Sequence, residues 1–201
     1  TVSVTPQGNA NGFADITLRV TDTGSPNQST DLTFRVNVTA VNDEPRFNDP
    51  SNVTGIPEDA GAQSIALTGV DQGGNWSVDD EEAQTLSCNV TTSNSTLTGV
   101  PTCTLNEPAG TGTVDWTTQS DQNGSATFTI TISDNGGTAN GGDDAITHQV
   151  SVTVDPVNDA PVITSGPSDQ AINEDTQTGT LAVSIRDVDN RTITKVTMTA
   201  T

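Results

Sequence analysis

The sequence predicts an all-β protein made of tandem β-sandwiches with antiparallel strands. Two segments, ATFTITIS and HQVSVTV, alternate apolar residues with threonine, serine or other polar residues. This period of two is typical of half-buried antiparallel strands. Glycine, asparagine and aspartate punctuate the segment boundaries, and no segment shows the apolar spacing and caps of a helix.

The composition predicts a thin aliphatic core. Only 30% of the 201 residues are hydrophobic and 3% are aromatic, so valine, isoleucine, leucine and alanine must fill the interior. Disorder is the competing interpretation, since polar, charged chains often cannot bury enough apolar surface to fold. The long alternating stretches argue against it. About seven short strands in roughly 100 residues predict an immunoglobulin-like, Greek-key sandwich.

The charge excludes two classes of partner. With 26 acidic and 6 basic residues, the chain has a formal charge of −20. Such an excess repels nucleic acid and anionic lipid, so we expect no nucleic-acid partner and no direct membrane insertion. A simple solubility or salt-tolerance device is the alternative. Because the acids are clustered rather than spread, we expect cations among them.

An internal repeat organises the chain. Residues 11–22 (NGFADITLRVTD) match residues 123–134 (NGSATFTITISD) at an offset of 112, and later segments match at an offset of 116. The change falls in the loop after Asp134, where length changes are tolerated. The repeat predicts one complete domain at 42–157, the C-terminal part of a preceding domain at 1–41, and the N-terminal part of a following one at 158–201.

Two cysteines, Cys88 and Cys103, predict a disulfide that closes a hairpin. Two buried reduced thiols are the alternative. Neither cysteine lies in a metal-ligating cluster, so a zinc site is not expected. No stretch approaches the ~20 apolar residues of a membrane span.

Acidic and amide residues gather where a sandwich has its ends. Oxygen-rich clusters without histidine or cysteine suit a hard cation with irregular geometry, calcium before magnesium. Pro45 and Pro161 stiffen the chain just after two of these clusters. The candidate ligands are Asp22, Asn42, Asp43, Glu58, Asp59, Asp79, Asp80, Asp121, Asp134, Asn158, Asp159, Glu174, Asp187 and Asp189.

Several motifs resemble the cadherin-like tandem repeats of giant bacterial and archaeal surface proteins. They are AVNDEP and PVNDAP, the PED and NED pair, DVDN, and DQNGSATFTITISDNGGTANGG. The resemblance implies a cadherin-like sandwich, an extracellular location at the cell surface, and calcium at the domain junctions. It also implies that neighbouring repeats or copies of the same protein are the partners.

The resemblance also implies how the ligands combine. One junction would bring Glu58, Asp121, Asn158 and Asp159 to Asp187 and Asp189. The other would bring Asn42 and Asp43 to Asp134 and to Asp79 or Asp80. The insertion DQGGNWSVDDEE at 71–82 leaves open whether Asp71 or the Asp79 cluster is the equivalent of Asp187. Asn9 and Asn11 replace Asp121 and Asn123, which predicts a weaker site in the first unit.

Two functions compete at this point. The first is structural: a calcium-stiffened rod, serving as an adhesin stalk or surface filament. The second is a module that binds a cell-surface or glycan ligand through Trp76 and Trp116, although core packing is the favoured role for both. An enzyme is not expected, because no Ser-His-Asp set or phosphate loop is present. Eight Asn-x-Ser/Thr sequons make glycosylation a further expectation.

The two terminal parts predict a fibre. Each half-sandwich would expose its core and an unpaired edge, and joined they make a somewhat smaller sandwich with Asp187 and Asp189 at the same end as Asp22. We expect the 158–201 part of one unit to meet the 1–41 part of the next. The link is either a continuous chain or head-to-tail contact between separate copies.

Overall fold

The protein is almost entirely β-structure. The computed structural model describes residues 1–74, 84–189 and 191–199. Among these residues, α1 is a short α-helical turn, and residues Glu107–Ala109 and Ala139–Gly141 form 3-10 turns. The elements are β1 (Gly12–Thr21), β2 (Ser29–Val38), β3 (Val53–Pro57), β4 (Ala62–Thr68), β5 (Ser87–Thr92), α1 (Ser95–Thr98), β6 (Thr102–Asn106), β7 (Thr111–Thr117), β8 (Gly124–Ser133), β9 (Ala145–Asp155), β10 (Val162–Ser165) and β11 (Ser184–Arg186). The described residues include no helix long and apolar enough to cross a membrane.

Strands β3 to β9 form a two-sheet sandwich. One sheet has the order β3-β9-β8-β5 and the other β4-β7-β6. Every pair in them is antiparallel except β3 with β9, which run parallel. This confirms the predicted immunoglobulin-like, cadherin-like β-sandwich. The hairpins β1-β2 and β10-β11 are separate two-stranded sheets, and the predicted domain limits at 1–41, 42–157 and 158–201 stay a prediction.

The core follows the alternation of the sequence. In β8 every second side chain from Ala126 to Ile132 is buried, and the threonines between them are half-buried on the other face. Phe128 lies opposite Val150 of β9, and its ring meets the edge of Trp116 at a centroid distance of 5.5 Å. Each such buried apolar side chain contributes about 1.5–3 kcal/mol. Trp116 is therefore a core residue, and Trp76 lies outside the described residues.

The β1-β2 hairpin repeats the register of β8-β9. Ile16 lies opposite Phe34, just as Phe128 lies opposite Val150, and these pairs are related by the offsets of 112 and 116 read from the sequence. The repeat predicted from the sequence is thus present in the strand pairing.

The loops of the two hairpins begin and end alike despite their different lengths. Residues 22–28 join β1 to β2, and residues 134–144 join β8 to β9. In the first loop the N–H of Asp22 donates to the carbonyl of Gln28 at 2.9 Å. In the longer loop, Asp134 makes the same bond to Asp144 at 3.0 Å. The extra residues therefore lie within the loop, as predicted.

The predicted disulfide between Cys88 and Cys103 is confirmed, with a Cα–Cα distance of 5.7 Å. The expectation that it closes a hairpin is wrong. Cys88 lies in β5, which pairs with β8, and Cys103 lies in β6, which pairs with β7 of the other sheet. The chain crosses between the sheets through α1, whose Leu97 is buried. The bond therefore ties the edge strands of the two sheets together.

Replacing both cysteines with serine should lower the free energy of unfolding by about 3 kcal/mol, because the bond closes a loop of 15 residues in the unfolded chain. Denaturant unfolding of the oxidised wild type and the double variant measures the difference. Reduced wild type is the control and should match the variant. Equal stability of the oxidised wild type and the variant would contradict the prediction.

Candidate functional site: an acidic domain junction

Three carboxylates converge beside the linker that follows β9. One oxygen each from Glu58, Asp159 and Asp189 lies within 4.8 Å of the others. Glu58 comes from the turn after β3, Asp159 from the linker, and Asp189 from the turn after β11. The group thus joins the sandwich, the linker and the segment beyond it.

Glu58 is the most buried charged side chain of the group, with 1% of its surface exposed. Its turn is closed by a 3.0 Å bond from the N–H of Ala60 to the carbonyl of Pro57. The Glu58 carboxylate accepts from the N–H of Val157 at 2.7 Å and from the Asn123 side chain at 3.0 Å. These bonds tie the linker and the loop before β8 to one buried charge.

Backbone hydrogen bonds hold the Asp189 side chain against the linker. The N–H of Asp159 donates to Asp189 at 2.8 Å, and the N–H of Asp189 donates to Asp187 at 3.0 Å. The side chain of Asp189 is 12% exposed. Asp187 therefore positions Asp189, and Asp189 faces the linker.

Asp159 is in the least favourable electrostatic position. Its Oδ2 atom is buried and has no hydrogen-bond partner in the part of the chain that the structure describes. Burial raises the pKa of Asp159 above its ordinary value, and repulsion by nearby carboxylates raises the pKa further. Those carboxylates are Asp59, Asp121, Asp189 and Glu58.

Among the described residues, Arg191 is the basic side chain in ion-pair contact with the group. The guanidinium of Arg191 lies 3.8 Å from Asp189, and the arginine side chain is 59% exposed. An exposed ion pair at this distance is weak, and a single positive charge does not balance the surrounding carboxylates.

Three further candidates lie around this junction. Asp59 is exposed in the same turn as Glu58, and Asn158 is exposed on the linker. Asp121 is exposed in the turn before β8 with a φ of 59°, and its equivalent Asn9 has a φ of 56°. The loop before β8 is therefore repeated before β1, with the carboxylate replaced by an amide.

The junction at residues 41–45 is built differently. Asn42 is almost fully buried and donates to Asp134 at 2.9 Å and to the carbonyl of Asp143 at 2.6 Å. Its own side-chain oxygen accepts from Gln84 at 2.7 Å. The Oδ2 atom of Asp134 is buried and lacks a hydrogen-bond partner among the described residues. Asn42 and Asp134 thus meet, as the resemblance implies.

The sequence leaves open whether Asp71 or the Asp79 cluster is the equivalent of Asp187, and the position of Asp71 bears on this choice. The N–H of Gly73 donates to Asp71 at 2.8 Å, which repeats the bond from Asp189 to Asp187. Asp71 therefore occupies the local position of Asp187, and Asp79 and Asp80 lie outside the described residues. Gly73 stands where the second junction has Asp189. A Cβ atom there would lie 2.4 Å from the carbonyl oxygen of Glu44, so that place cannot hold an aspartate without a shift.

The remaining candidates lie apart from the three-carboxylate group or beside the linker. Asp43 is half-buried next to Asn42. Asp22 accepts bonds from the N–H groups of Gly24 and Gln28 inside the β1-β2 loop. Glu174 is exposed in a turn between β10 and β11.

The sequence reasoning placed Asn123 in an acidic cluster with Asp121 but did not name it as a ligand, and it missed the N–H of Val157. A backbone donor such as the Val157 N–H carries no signal in the side-chain pattern.

No protein-family model matches the chain, and no curated protein matches it. Among solved structures, the chain is similar to the N-terminal Ig1-2 module of the Drosophila receptor protein tyrosine phosphatase DLAR, with 18% identity over 62% of this chain and 57% of that chain, and a TM-score of 0.35. It is similar to the protocadherin gammaB7 EC3-6 cis-dimer, with 21% identity over 88% of this chain and 44% of that one, and a TM-score of 0.38. It is also similar to domains 4 and 5 of the S-layer protein SbsC, with 15% identity over 71% of this chain and 77% of that chain, and a TM-score of 0.31. The chain thus spans about half the length of the first two. At these TM-scores the likenesses carry no functional argument, and the fold rests on the strand order and register described above.

Asp159→Asn should raise the melting temperature of the metal-free protein at neutral pH. A raised pKa means that the folded state binds the proton more tightly than the unfolded chain, so the ionised carboxylate destabilises the fold above that pKa. The gain should shrink as the pH falls toward 3.8, the ordinary aspartate value, because the protonated carboxyl no longer repels its neighbours. Thermal unfolding in chelator at stepwise lower pH measures this.

The quantity to follow is the difference between the melting temperatures of wild type and Asp159→Asn at each pH. Hydrogen bonds from Arg35 and Arg19 lower the pKa values of Asp15 and Asp31, and these groups stabilise the fold above their pKa and lose that effect in acid. Asp15 and Asp31 give the melting temperature the opposite dependence on pH. Because both proteins contain these two groups, subtracting one melting curve from the other removes their contribution. A melting temperature of the metal-free variant below that of wild type at neutral pH would refute the prediction.

Proposed function

We propose that the chain is a structural repeat of an extracellular surface fibre or adhesin stalk, and that calcium binds its domain junctions and stiffens them. The observation that carries the proposal is the convergence of Glu58, Asp159 and Asp189 from three separate segments.

The spacing suits a single calcium ion. Calcium binds oxygen ligands at 2.3–2.6 Å, so two oxygens on the same ion lie at most about 5 Å apart. The three carboxylate oxygens lie within 4.8 Å of one another. An ion placed among Glu58, Asp159 and Asp189 therefore reaches all three with little rearrangement.

The electrostatics favour a cation at this place. A buried carboxylate oxygen without a donor is costly, and the Oδ2 atom of Asp159 is in that state among the described residues. Its neighbours are further carboxylates, which repel it. A divalent cation would supply the missing partner for Asp159 and turn the repulsion between the carboxylates into attraction toward the ion.

The donor chemistry selects calcium. The group offers oxygen atoms only, which suits hard cations and not copper or zinc. Its ligands come from a turn, a linker and a second turn, so regular octahedral geometry is not enforced. Calcium accepts six to eight ligands in irregular arrangements, whereas magnesium requires near-ideal octahedral geometry.

The mechanical consequence follows from where the ligands lie. Glu58 belongs to the sandwich and Asp189 to the segment beyond the linker, with Asp159 between them. An ion bound to all three would fix the direction of the chain at residues 157–161, where Pro161 already limits the backbone. A row of such junctions makes a stiff rod.

The extracellular location is part of the proposal. Disulfides persist in oxidising compartments, and Cys88 and Cys103 form one between the two sheets. Millimolar calcium outside cells also suits a surface site of weak affinity.

Calcium should raise the melting temperature, and chelation should lower it and loosen residues 157–161 and 41–45. At a hundredfold excess over its Kd, one bound ion adds about 2.7 kcal/mol to the free energy of unfolding. Calorimetric titration measures binding, hydrogen exchange reports the linkers, and X-ray scattering reports the stiffness of the chain. An unchanged melting temperature and an unchanged scattering profile after exhaustive chelation would refute the calcium proposal.

The matched variants are Asp159→Asn and Asp169→Asn, which remove the same charge. Asp169 is exposed and lies in the same terminal segment. We expect Asp159→Asn to abolish the calcium effect at 157–161 while the 41–45 linker keeps its response, and Asp169→Asn to retain both. Arg191→Gln should strengthen calcium binding because it removes the competing positive charge.

A further inference from the structure

The central sandwich contains four sequons that the calcium site does not explain, at Asn52, Asn89, Asn94 and Asn123. An N-linked sugar is bulky and replaces a proton on the side-chain nitrogen of asparagine. It therefore needs an amide that faces solvent and that no other segment of the fold uses. The hydrogen bonds of the four amides separate those that meet this condition from those that do not.

Two of the four amides hold other segments in place. The Asn123 side chain donates to the buried carboxylate of Glu58 at 3.0 Å, so a sugar on its nitrogen would disturb that contact. The side-chain oxygen of Asn52 accepts from the N–H of Ser151 in β9 at 2.8 Å, which fixes the side chain against the sheet. Neither amide is free of the fold.

The amides of Asn89 and Asn94 are not used by other segments. Asn89 is exposed in β5, and its side chain makes no hydrogen bond within the described part of the chain. Asn94 is half-buried just before α1, and its side-chain oxygen accepts from the hydroxyl of Thr96 at 2.7 Å, inside the same sequon. The Asn94 nitrogen thus keeps both protons without an acceptor among the described residues.

Both asparagines lie on one side of the sandwich, where β5 and β6 are the edge strands of their sheets. Neither strand contains a charged residue or a proline, although the chain has 26 acidic residues. Charges and prolines commonly stop an edge strand from pairing with another chain. Val100, in the loop between α1 and β6, adds an apolar side chain that is 82% exposed. This side, the β5-β6 edge, thus lacks those two protective features.

We propose that Asn89 and Asn94 carry N-linked oligosaccharides that cover the β5-β6 edge, and that Asn123 stays unmodified. In each transfer the side-chain nitrogen attacks the anomeric carbon of a lipid-linked oligosaccharide diphosphate. An N–C bond forms, the anomeric C–O bond breaks, the lipid diphosphate leaves, and the nitrogen loses one proton. The modification rests on the extracellular location proposed above and is independent of the calcium site.

The sugars perform on this edge the role that charges perform on other edge strands. An oligosaccharide on Asn89 projects from β5 itself, and one on Asn94 projects from the crossing that also carries Val100. Both are hydrated and bulky, so they oppose the approach of a second strand. Glycosylation therefore keeps neighbouring chains from pairing along the β5-β6 edge.

Secretion of the 201-residue chain from cultured animal cells tests the sites, with the sugars located by mass spectrometry of intact glycopeptides. We expect sugar on Asn89 and Asn94 and none on Asn123 in the disulfide-bonded product. An unmodified Asn89 or Asn94, or sugar on Asn123, overturns the proposal. Thr91→Val and Thr96→Val remove only the sequon hydroxyls. They should abolish the sugar on Asn89 and on Asn94, respectively, and leave the other site occupied.

Light scattering of the secreted protein tests the role of the sugars. The double variant Asn89→Gln and Asn94→Gln lacks both attachment sites, and the control is Asn106→Gln, at the end of β6 and outside any sequon. We expect several-fold more association of the double variant than of the control as the concentration rises. Equal association would refute the covering role. Neither result alters the calcium titration of the junction, so failure here is distinct from failure of the calcium proposal.

Discussion

The buried carboxylate of Glu58 is the constraint on which the junction depends. A charge that is 1% exposed must be matched by donors, and the chain supplies them from the linker and from the loop before β8. Those two bonds set where the linker leaves the sandwich. Because the linker then carries Asp159 past Glu58, the same geometry that satisfies one carboxylate brings a second one too close. The electrostatic strain at the junction is thus a consequence of how the fold is closed.

The thin core explains why the ends of the sandwich carry so much of the architecture. Phe128 and Trp116 are the large aromatic contact at its centre, and the rest is mainly aliphatic packing from β8 and β9. A core of this size leaves the edges of the two sheets weakly joined. The Cys88–Cys103 bond links the edge strands β5 and β6 of the two sheets covalently, and β3 forms the other edge of the larger sheet by pairing parallel to β9. Local covalent and polar links therefore supplement limited burial.

The sequence could predict what repeats, but only some of the places where distant segments meet. The register of β1-β2 followed from its match to β8-β9, and Asn42 meets Asp134 as the resemblance implied. The hairpin assigned to the disulfide was wrong, because alternation shows which side chains point inward but not which sheet a strand joins. The hydrogen bond from the N–H of Gly73 to Asp71 and the backbone donor to Glu58 could not be predicted from the side-chain pattern, because any residue supplies a backbone N–H.

The two junctions show how one repeat can carry different electrostatics without changing its fold. At the second junction Asp189 faces the linker, and its counterpart at the first is Gly73, packed against the backbone of residues 43–44. At the first junction, the buried amide of Asn42 donates to the Asp134 carboxylate and accepts from the amide of Gln84. The proposed cation would therefore act more strongly on the second junction, where three carboxylates converge, than on the first, where an amide already links Asp134 and Gln84. If the two kinds of junction alternated along a chain, flexible points would occur at defined intervals. The choice of aspartate or glycine at the position of Asp189 in each repeat would then set where the proposed rod bends.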